Sequence, residues 1–553
     1  MILLPKPKWI IGTLAILYLL SIDVDTMDVD ASQYASMSRE MMESGSYLQV
    51  YEQGRDYLDK PPFLFWITSV SMKIFGANNV AFKLPSILFA LLALFATYRL
   101  ARLYYDETIA RLALLMLGTT QALFLITNDI KTDTILMGWV ALSLWQLATW
   151  VETKQKKSFL FGCAAIAFGM MTKGPIALLV PIFAMGAHLL LLRRLKLLLE
   201  PVLLVGILVI AIVLLPMSIG LYQQFDLHPE KTVNGTQGVS GLRFFYWTQS
   251  FGRITGESVW NNGASFTFLF ENLLWGWLPW TFFLISGLIL KMARLIKTRL
   301  HLQNGEEAIS IGGFLITYCA HAISKFQLPH YIYVVLPLAA IISAKAMYAL
   351  LAGMMRPFWA RILMAAQWLV VGLLLVAPIL LILWVFPGKE WLPWLILFCQ
   401  LCFLIYVLLS RHITHKMLLA SFTAIIGFNI LLSTWFYPNL LRYQASNNAG
   451  RFVSQQKVSA GKFRMFQYKG NKHSVHFYSQ QIVTEISNLD SAALGTWLLT
   501  GNSGKKAIED AGRKFKVMKT GPDFHISMLT PAFLNAKTRA SVLDNYFIIQ
   551  LEN

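Results

Sequence analysis

Asp28-Val29-Asp30-Ala31-Ser32-Gln33-Tyr34, continued by the run Ser32 to Glu43 and closed by Asp59-Lys60-Pro61-Pro62, is the stretch on which the reading of this chain turns. It sets two acids directly after the first long apolar segment, and an acid beside a base just ahead of a long series of further apolar segments. Charge is scarce elsewhere, since 56% of the residues are hydrophobic and only 14% charged. Holding ionisable groups at the mouth of a membrane bundle costs free energy that packing does not require, so such a cluster reads as functional by default. The alternative is a solvated loop between two membrane helices.

A mean hydropathy of +0.55 over 553 residues excludes an ordinary soluble globule. The chain reads as an α-helical polytopic membrane protein. Its net charge of +18 does not point to nucleic acid, because the basic residues form neither one patch nor a basic helix. They punctuate the gaps between apolar runs: Lys6 and Lys8, Arg99 and Arg102, Lys154 to Lys157, Arg193 to Lys196, Lys291 to Arg299, Arg356 and Arg361, Arg411 and Lys416. Each pair of clusters brackets enough apolar sequence for an out-and-back hairpin, so all fall on the cytoplasmic side. The first run, Trp9 to about Ile22, lacks a small-residue cleavage site after it and reads as a retained first helix. At roughly 20 residues per crossing, about thirteen spans are expected, with the C-terminus outside.

The outward loops hold the chemistry. Ser32 to Glu43, polar on one face with Met37, Met41 and Met42 on another, suits a helix lying in the interface. Pro61 to Phe75 is too short for a comfortable span and reads as interfacial or re-entrant, whereas Ala81–Tyr98 and Ile109–Ile126 read as crossings. Then come Asn128, Asp129, Lys131 and Asp133, the turn Thr172-Lys173-Gly174-Pro175, and a longer loop to about Ser265 that carries Arg253. Ser324 to His330 leads into Tyr331 and Tyr333. From about Asn439 the charge density becomes ordinary and alternating runs appear, as in Ser474 to Tyr478 and Tyr546 to Leu551; residues 439–553 read as a small outer α/β domain, and residues 1–438 as the membrane part. All four cysteines, Cys163, Cys319, Cys399 and Cys402, fall within the apolar runs and offer no disulfide framework.

Lysines and arginines converging from separate loops can neutralise a phosphate such as that of a lipid-linked sugar. Carboxylates beside them can orient an acceptor, take a proton, or stabilise a positively charged sugar transition state. A transporter is the rival class, but its polar groups belong at the bilayer midplane, where these spans carry almost no charge.

Asp30-Ala31-Ser32-Gln33-Tyr34, Ser38-Arg39-Glu40-Met41, Asp59-Lys60-Pro61-Pro62, Thr132-Asp133, Thr172-Lys173-Gly174-Pro175, Arg253 before Trp275 to Trp280, Lys325 with Leu328-Pro329, and Leu529 to Leu534 together resemble the ArnT-type glycosyltransferases of the GT-C superfamily. Those are membrane enzymes that move 4-amino-4-deoxy-L-arabinose from undecaprenyl phosphate to lipid A. The resemblance implies a GT-C fold in a bacterial inner membrane with a periplasmic active site, a polyprenyl-phosphate sugar donor and a lipid A acceptor. Carried over by position, it makes Asp30 the leading catalytic residue and Asp133 a supporting acid. It assigns Lys60, Lys173 and Arg253 to the donor phosphate, and Asp28, Tyr34, Asp59, Lys325, Tyr331 and Tyr333 to the substrate pocket. Two positions depart from the family pattern: Asp59 stands where a glutamate is common, and Ser250 where a histidine is expected. A lone carboxylate without an imidazole is a weak ligand set, so neither a metal nor a cofactor is expected. A same-fold enzyme acting on protein or another envelope glycan is the alternative.

Overall fold

The computed structural model describes residues 4–255, 257, 261–303, 305–410 and 415–552, with the backbone alone at positions 253 and 254. Among these, seven helices are long and apolar enough to cross a membrane: Asn79–Tyr104, Thr132–Thr153, Val202–Asp226, Pro329–Leu351, Pro357–Val385, Leu392–Leu409 and Lys416–Leu441. Shorter apolar helices run over Pro7–Leu19, Phe63–Phe75, Ile176–Leu191 and Ile309–Ala322. Phe63–Phe75 stops at Gly76, whose φ of +80° is open to glycine at little cost.

The run Ile109 to Ile126, expected as one helix, is broken. Glu107–Gly118 and Gln121–Asn128 meet at an angle of 49°. Thr119 and Thr120 make the break: their hydroxyls donate back to the carbonyls of Leu115 and Leu117. Such local bonds compete with helix continuation. The amide of Gln121, freed by the break, donates to Leu278 O at 3.0 Å from outside the helix.

Asn79–Tyr104 packs on Thr132–Thr153, which packs on Lys156–Lys173, which in turn packs on Val202–Leu221. That order brings the start of Thr132–Thr153 and the end of Lys156–Lys173 to the same end of the bundle, where the first outer loop also sits. The loop is seated at close quarters. A Cβ on Gly220 would lie 2.0 Å from the Leu48 carbonyl oxygen, so only glycine admits this approach. Gln224, in a π turn just beyond, accepts from Val50 N and donates to Val50 O and Asp56 Oδ1, holding the hairpin Tyr51–Glu52/Arg55–Asp56 like an extra strand. Wide turns of this kind recur at functional sites.

The C-terminal region carries a five-stranded sheet in the order Thr484–Ile486, Phe463–Phe466, Trp497–Gly501, Asp544–Leu551, Phe515–Asp523. The first two pairings are parallel and the last two antiparallel. The alternating run Ser474 to Tyr478 is not a strand but part of the helix Lys472–Ser479, which packs on Asp30–Ser44. Polar contacts reinforce this junction: Arg451 grips the Asp25 carboxylate with both terminal nitrogens, and Tyr478 OH accepts from Thr26 N and donates to Asn79 Oδ1, both at 2.8 Å.

Asp28 belongs to the same junction. Its Oδ1 accepts from Asn471 Nδ2 at 2.5 Å and Ser474 Oγ at 2.8 Å. Burial pushes its carboxyl up to about 6 in spite of these hydrogen bonds, and Asp523, itself pushed up to about 6 chiefly by burial, adds to the shift. A carboxyl whose folded pKa lies above its unfolded value of about 3.9 contributes stability that is complete below about pH 4 and lost as pH rises through 6. The thermal midpoint is therefore expected to rise on going from pH 8 to pH 5.5, by an increment worth on the order of 1–2 kcal/mol. Asp28→Asn should flatten that slope in a thermal-unfolding series; an unchanged slope would remove Asp28 from the junction's pH response.

Candidate active site

One short sequence, Asp129-Ile130-Lys131-Thr132-Asp133, supplies the centre of the site. Asp133 lies in the first turn of Thr132–Thr153, where a helix N-terminus favours negative charge, and Lys173 in the last turn of Lys156–Lys173, where positive charge is favoured. The two meet as an ion pair with Lys173 Nζ 2.5 Å from Asp133 Oδ1. Asp133 is 1% exposed and Lys173 is 15% exposed. The ammonium also lies 4.3 Å from the centre of the Tyr331 ring. His330, next in chain, places Nε2 at 3.8 Å from the other Asp133 oxygen.

A second pair lies beside the first. Lys131 Nζ is 3.0 Å from Asp30 Oδ2 and 3.4 Å from Asp129 Oδ2. Burial opposes the Lys131 charge, but the carboxylates of Asp129 and Asp30 outweigh it and hold the lysine above its ordinary pKa. Asp129 is shifted upward by its own burial, with Lys131 opposing and Asp30 adding. Asp30 opens the helix Asp30–Ser44, so its carboxylate is aimed by the backbone and held by Lys131. Tyr34, one turn on, is fully buried with its ring edge-on to Phe65. Burial raises its phenol well above the ordinary value, and Asp30, Asp59 and Asp133 contribute to the same shift.

Lys60 pairs with Asp59 at 3.0 Å, and Gln249 Nε2 donates to Asp59 Oδ1 at 2.9 Å. Lys60, Lys173, Ser250 and Tyr331 line a cavity of about 100 Å³ whose remaining wall includes Ile176 and Leu179. A lining that combines two cationic side chains with aliphatic ones suits a phosphate attached to a hydrocarbon chain. A larger cleft of about 530 Å³ opens between Asp25, Arg442 and Arg451, but there acids balance the cations.

The structure thus brings together Asp30, Asp133, Lys60, Lys173, Asp59, Tyr34 and Tyr331. It places Asp28 in the junction with the C-terminal region and leaves Lys325 exposed on its loop. Tyr333 is buried two residues beyond Tyr331 and does not line the cavity. The Arg253 side chain lies outside the described residues. Among the described residues no three His, Cys, Asp or Glu side chains are grouped to hold a metal ion. Sequence reasoning counted Lys131 only as one of several outer bases and did not single out His330 or Gln249. The alternation Asp129, Lys131, Asp133 was the available signal for the first of these.

Residues 59–219 match the family model described as dolichyl-phosphate-mannose-protein mannosyltransferase. Over 334 residues the chain is 26% identical to an undecaprenyl phosphate-alpha-4-amino-4-deoxy-L-arabinose arabinosyl transferase of Wigglesworthia glossinidia brevipalpis, covering 58% of this chain and 55% of that one. A protein of the same name from Erwinia tasmaniensis is 28% identical over 275 residues, 48% of this chain and 46% of its own. The chain spans about half the length of the curated relatives it matches. The crystal structure of ArnT from Cupriavidus metallidurans bound to undecaprenyl phosphate superposes with a TM-score of 0.71, covering 93% of this chain and 97% of that one. The chain is similar in fold to ArnT and, over part of its length, in sequence to the aminoarabinose transferases. At 17% identity the structural likeness speaks for the fold alone. Within this ArnT-like fold the matched segment, 59–219, contains Asp59, Lys60, Lys131, Asp133 and Lys173.

Proposed function

We propose that the chain is a membrane glycosyltransferase that moves an aminoarabinose-like sugar from undecaprenyl phosphate to lipid A. The observation that carries this reading is the pair of lysines, Lys60 and Lys173, lining a part-apolar cavity in an ArnT-like fold. In the transfer, the bond from the sugar's anomeric carbon to the donor phosphate oxygen breaks, and a bond to an acceptor phosphate oxygen forms. The leaving phosphate gains a negative charge, which Lys60 and Lys173 are placed to hold. The acceptor phosphate is already ionised near neutral pH and needs no strong base. Asp30 therefore acts by orienting the reacting groups and balancing the positive charge that develops on the sugar.

The seven long helices, the bent pair 107–128, and the shorter helices Pro7–Leu19, Lys156–Lys173, Ile176–Leu191, Thr281–Lys297 and Ile309–Ala322 supply thirteen spans. Asp30–Ser44 and Phe63–Phe75 then lie in the outer interface. In this topology, in a bacterial inner membrane, residues 1–438 form the membrane part, and the sheet region 439–553 lies in the periplasm with the site. No metal enters the scheme.

The test is mass spectrometry of lipid A from cells producing the intact chain or Asp30→Asn at matched levels. An aminopentose mass on lipid A that is lost in the variant is the expected result. An unmodified lipid A in both strains would overturn the acceptor assignment. It would favour a protein acceptor, to which the mannosyltransferase family match already points.

A further inference from the structure

We propose that His330 is a positioning residue that takes hold of Asp133 when Lys173 turns to the donor phosphate. The inference rests on the donor reading above and concerns a residue that the reading does not use. Asp133 has two oxygens and one ion-paired partner: Lys173 occupies Oδ1, and Oδ2 is buried with no hydrogen-bond partner among the described residues. The Nε2 edge of His330 stands 3.8 Å from that oxygen, one small rotation from hydrogen-bond distance.

The geometry poses a problem that His330 solves. Lys173 lines the cavity and must face a phosphate there, yet its ammonium is the charge partner of a carboxylate that is 1% exposed. Drawing the ammonium toward a phosphate strips a buried carboxylate of its partner, which is strongly unfavourable unless another donor replaces it. His330 and Tyr331 are adjacent on the turn Pro329–Val335 and flank the pair from two sides. Tyr331 offers its ring to the Lys173 ammonium, and His330 offers its nitrogen to the Asp133 oxygen that Lys173 does not use. Closing the 3.8 Å gap as the ammonium leaves keeps Asp133 partnered in both states. The exchange moves hydrogen bonds only; no covalent bond changes.

The experiment is a double-substitution cycle on the full chain in detergent or nanodiscs, with undecaprenyl phosphate as the probe in a binding titration. His330→Phe keeps the ring volume and removes the nitrogens, and His330→Gln keeps a donor. His330→Phe is expected to weaken binding about tenfold or more, the scale of one hydrogen bond to a charged group, with His330→Gln recovering most of the loss. In an Asp133→Asn background the same His330→Phe change is expected to cost little, because no buried charge awaits a partner. An equal loss in both backgrounds, or no loss in either, overturns the positioning role. Should His330→Phe not fold, His330→Leu takes its place in the cycle, with the same loss expected in the wild-type background and the same outcomes overturning the role. If the unsubstituted chain fails to bind undecaprenyl phosphate at all, the donor reading itself falls and takes the inference with it. Normal binding by the unsubstituted chain with a flat cycle overturns the role of His330 only.

Discussion

Lys173→Met is expected to weaken undecaprenyl phosphate binding about ten- to hundredfold and, separately, to destabilise the chain by about 1–3 kcal/mol, less than the full cost of an unpartnered buried carboxylate because His330 remains beside Asp133 as a donor. The first effect follows from the loss of one of the two cations that line the cavity among the described residues. The second follows from Asp133, which is almost fully buried and ion-pairs with this lysine at 2.5 Å. A buried carboxylate stripped of its partner costs far more than the pair contributes over two neutral residues of similar shape. Adding Asp133→Asn to Lys173→Met should therefore restore most of the thermal stability and none of the binding. Thermal unfolding and lipid titration on the three variants separate the two roles. Wild-type binding by Lys173→Met would remove this lysine from the phosphate site, whatever its stability did.

The two lysines that matter most were visible in the sequence to different degrees, and the reason is physical. Lys173 ends an apolar run at a Gly-Pro turn, so its place at a helix terminus could be read locally. Its partner could not, because Lys173 and Asp133 are 40 residues apart, and Lys131 and Asp30 are 101 apart; only the packing order of the helices brings each pair together. Asp28 and Asp30 read in the sequence as one acid cluster because only Val29 separates them. The helix that starts at Asp30 divides them, turning Asp28 to the C-terminal region and Asp30 to Lys131. The broken helix at Thr119 and Thr120 was hidden for a related reason. Threonine fits within an apolar helix, and what breaks this one is a pair of hydroxyl back-bonds, the freed Gln121 amide then finding its acceptor on the distant Leu278. Periodicity finds spans; it carries no information on which polar groups will meet.

Lys131→Met should have the largest effect on the reaction itself, and the effect should depend on pH. In the native site one ammonium lies within 3.4 Å of two carboxylates, Asp30 and Asp129, both partly buried. Without the cation the two acids face each other with their mutual repulsion unrelieved, and one must hold a proton up to a higher pH. Removing the positive neighbour pushes the Asp129 carboxyl, already raised by its surroundings, further up, so the charge beside Asp30 is lost on the acid side and regained as pH rises. Transfer by Lys131→Met is thus expected to fall about a hundredfold near neutral pH, with the acid limb of its rate profile displaced upward and partial recovery in alkali. Lys131→Arg keeps the charge and should leave the limb in place. The measurement is kcat for transfer from undecaprenyl phosphate aminoarabinose to lipid A between pH 6 and 9. A uniform loss at every pH would make Lys131 a structural tether for the Asp30 helix. A displaced limb would instead make it the group that keeps Asp129 ionised beside Asp30, so that a fixed cation rather than a shared proton holds the two acids together while the positive charge of the sugar develops.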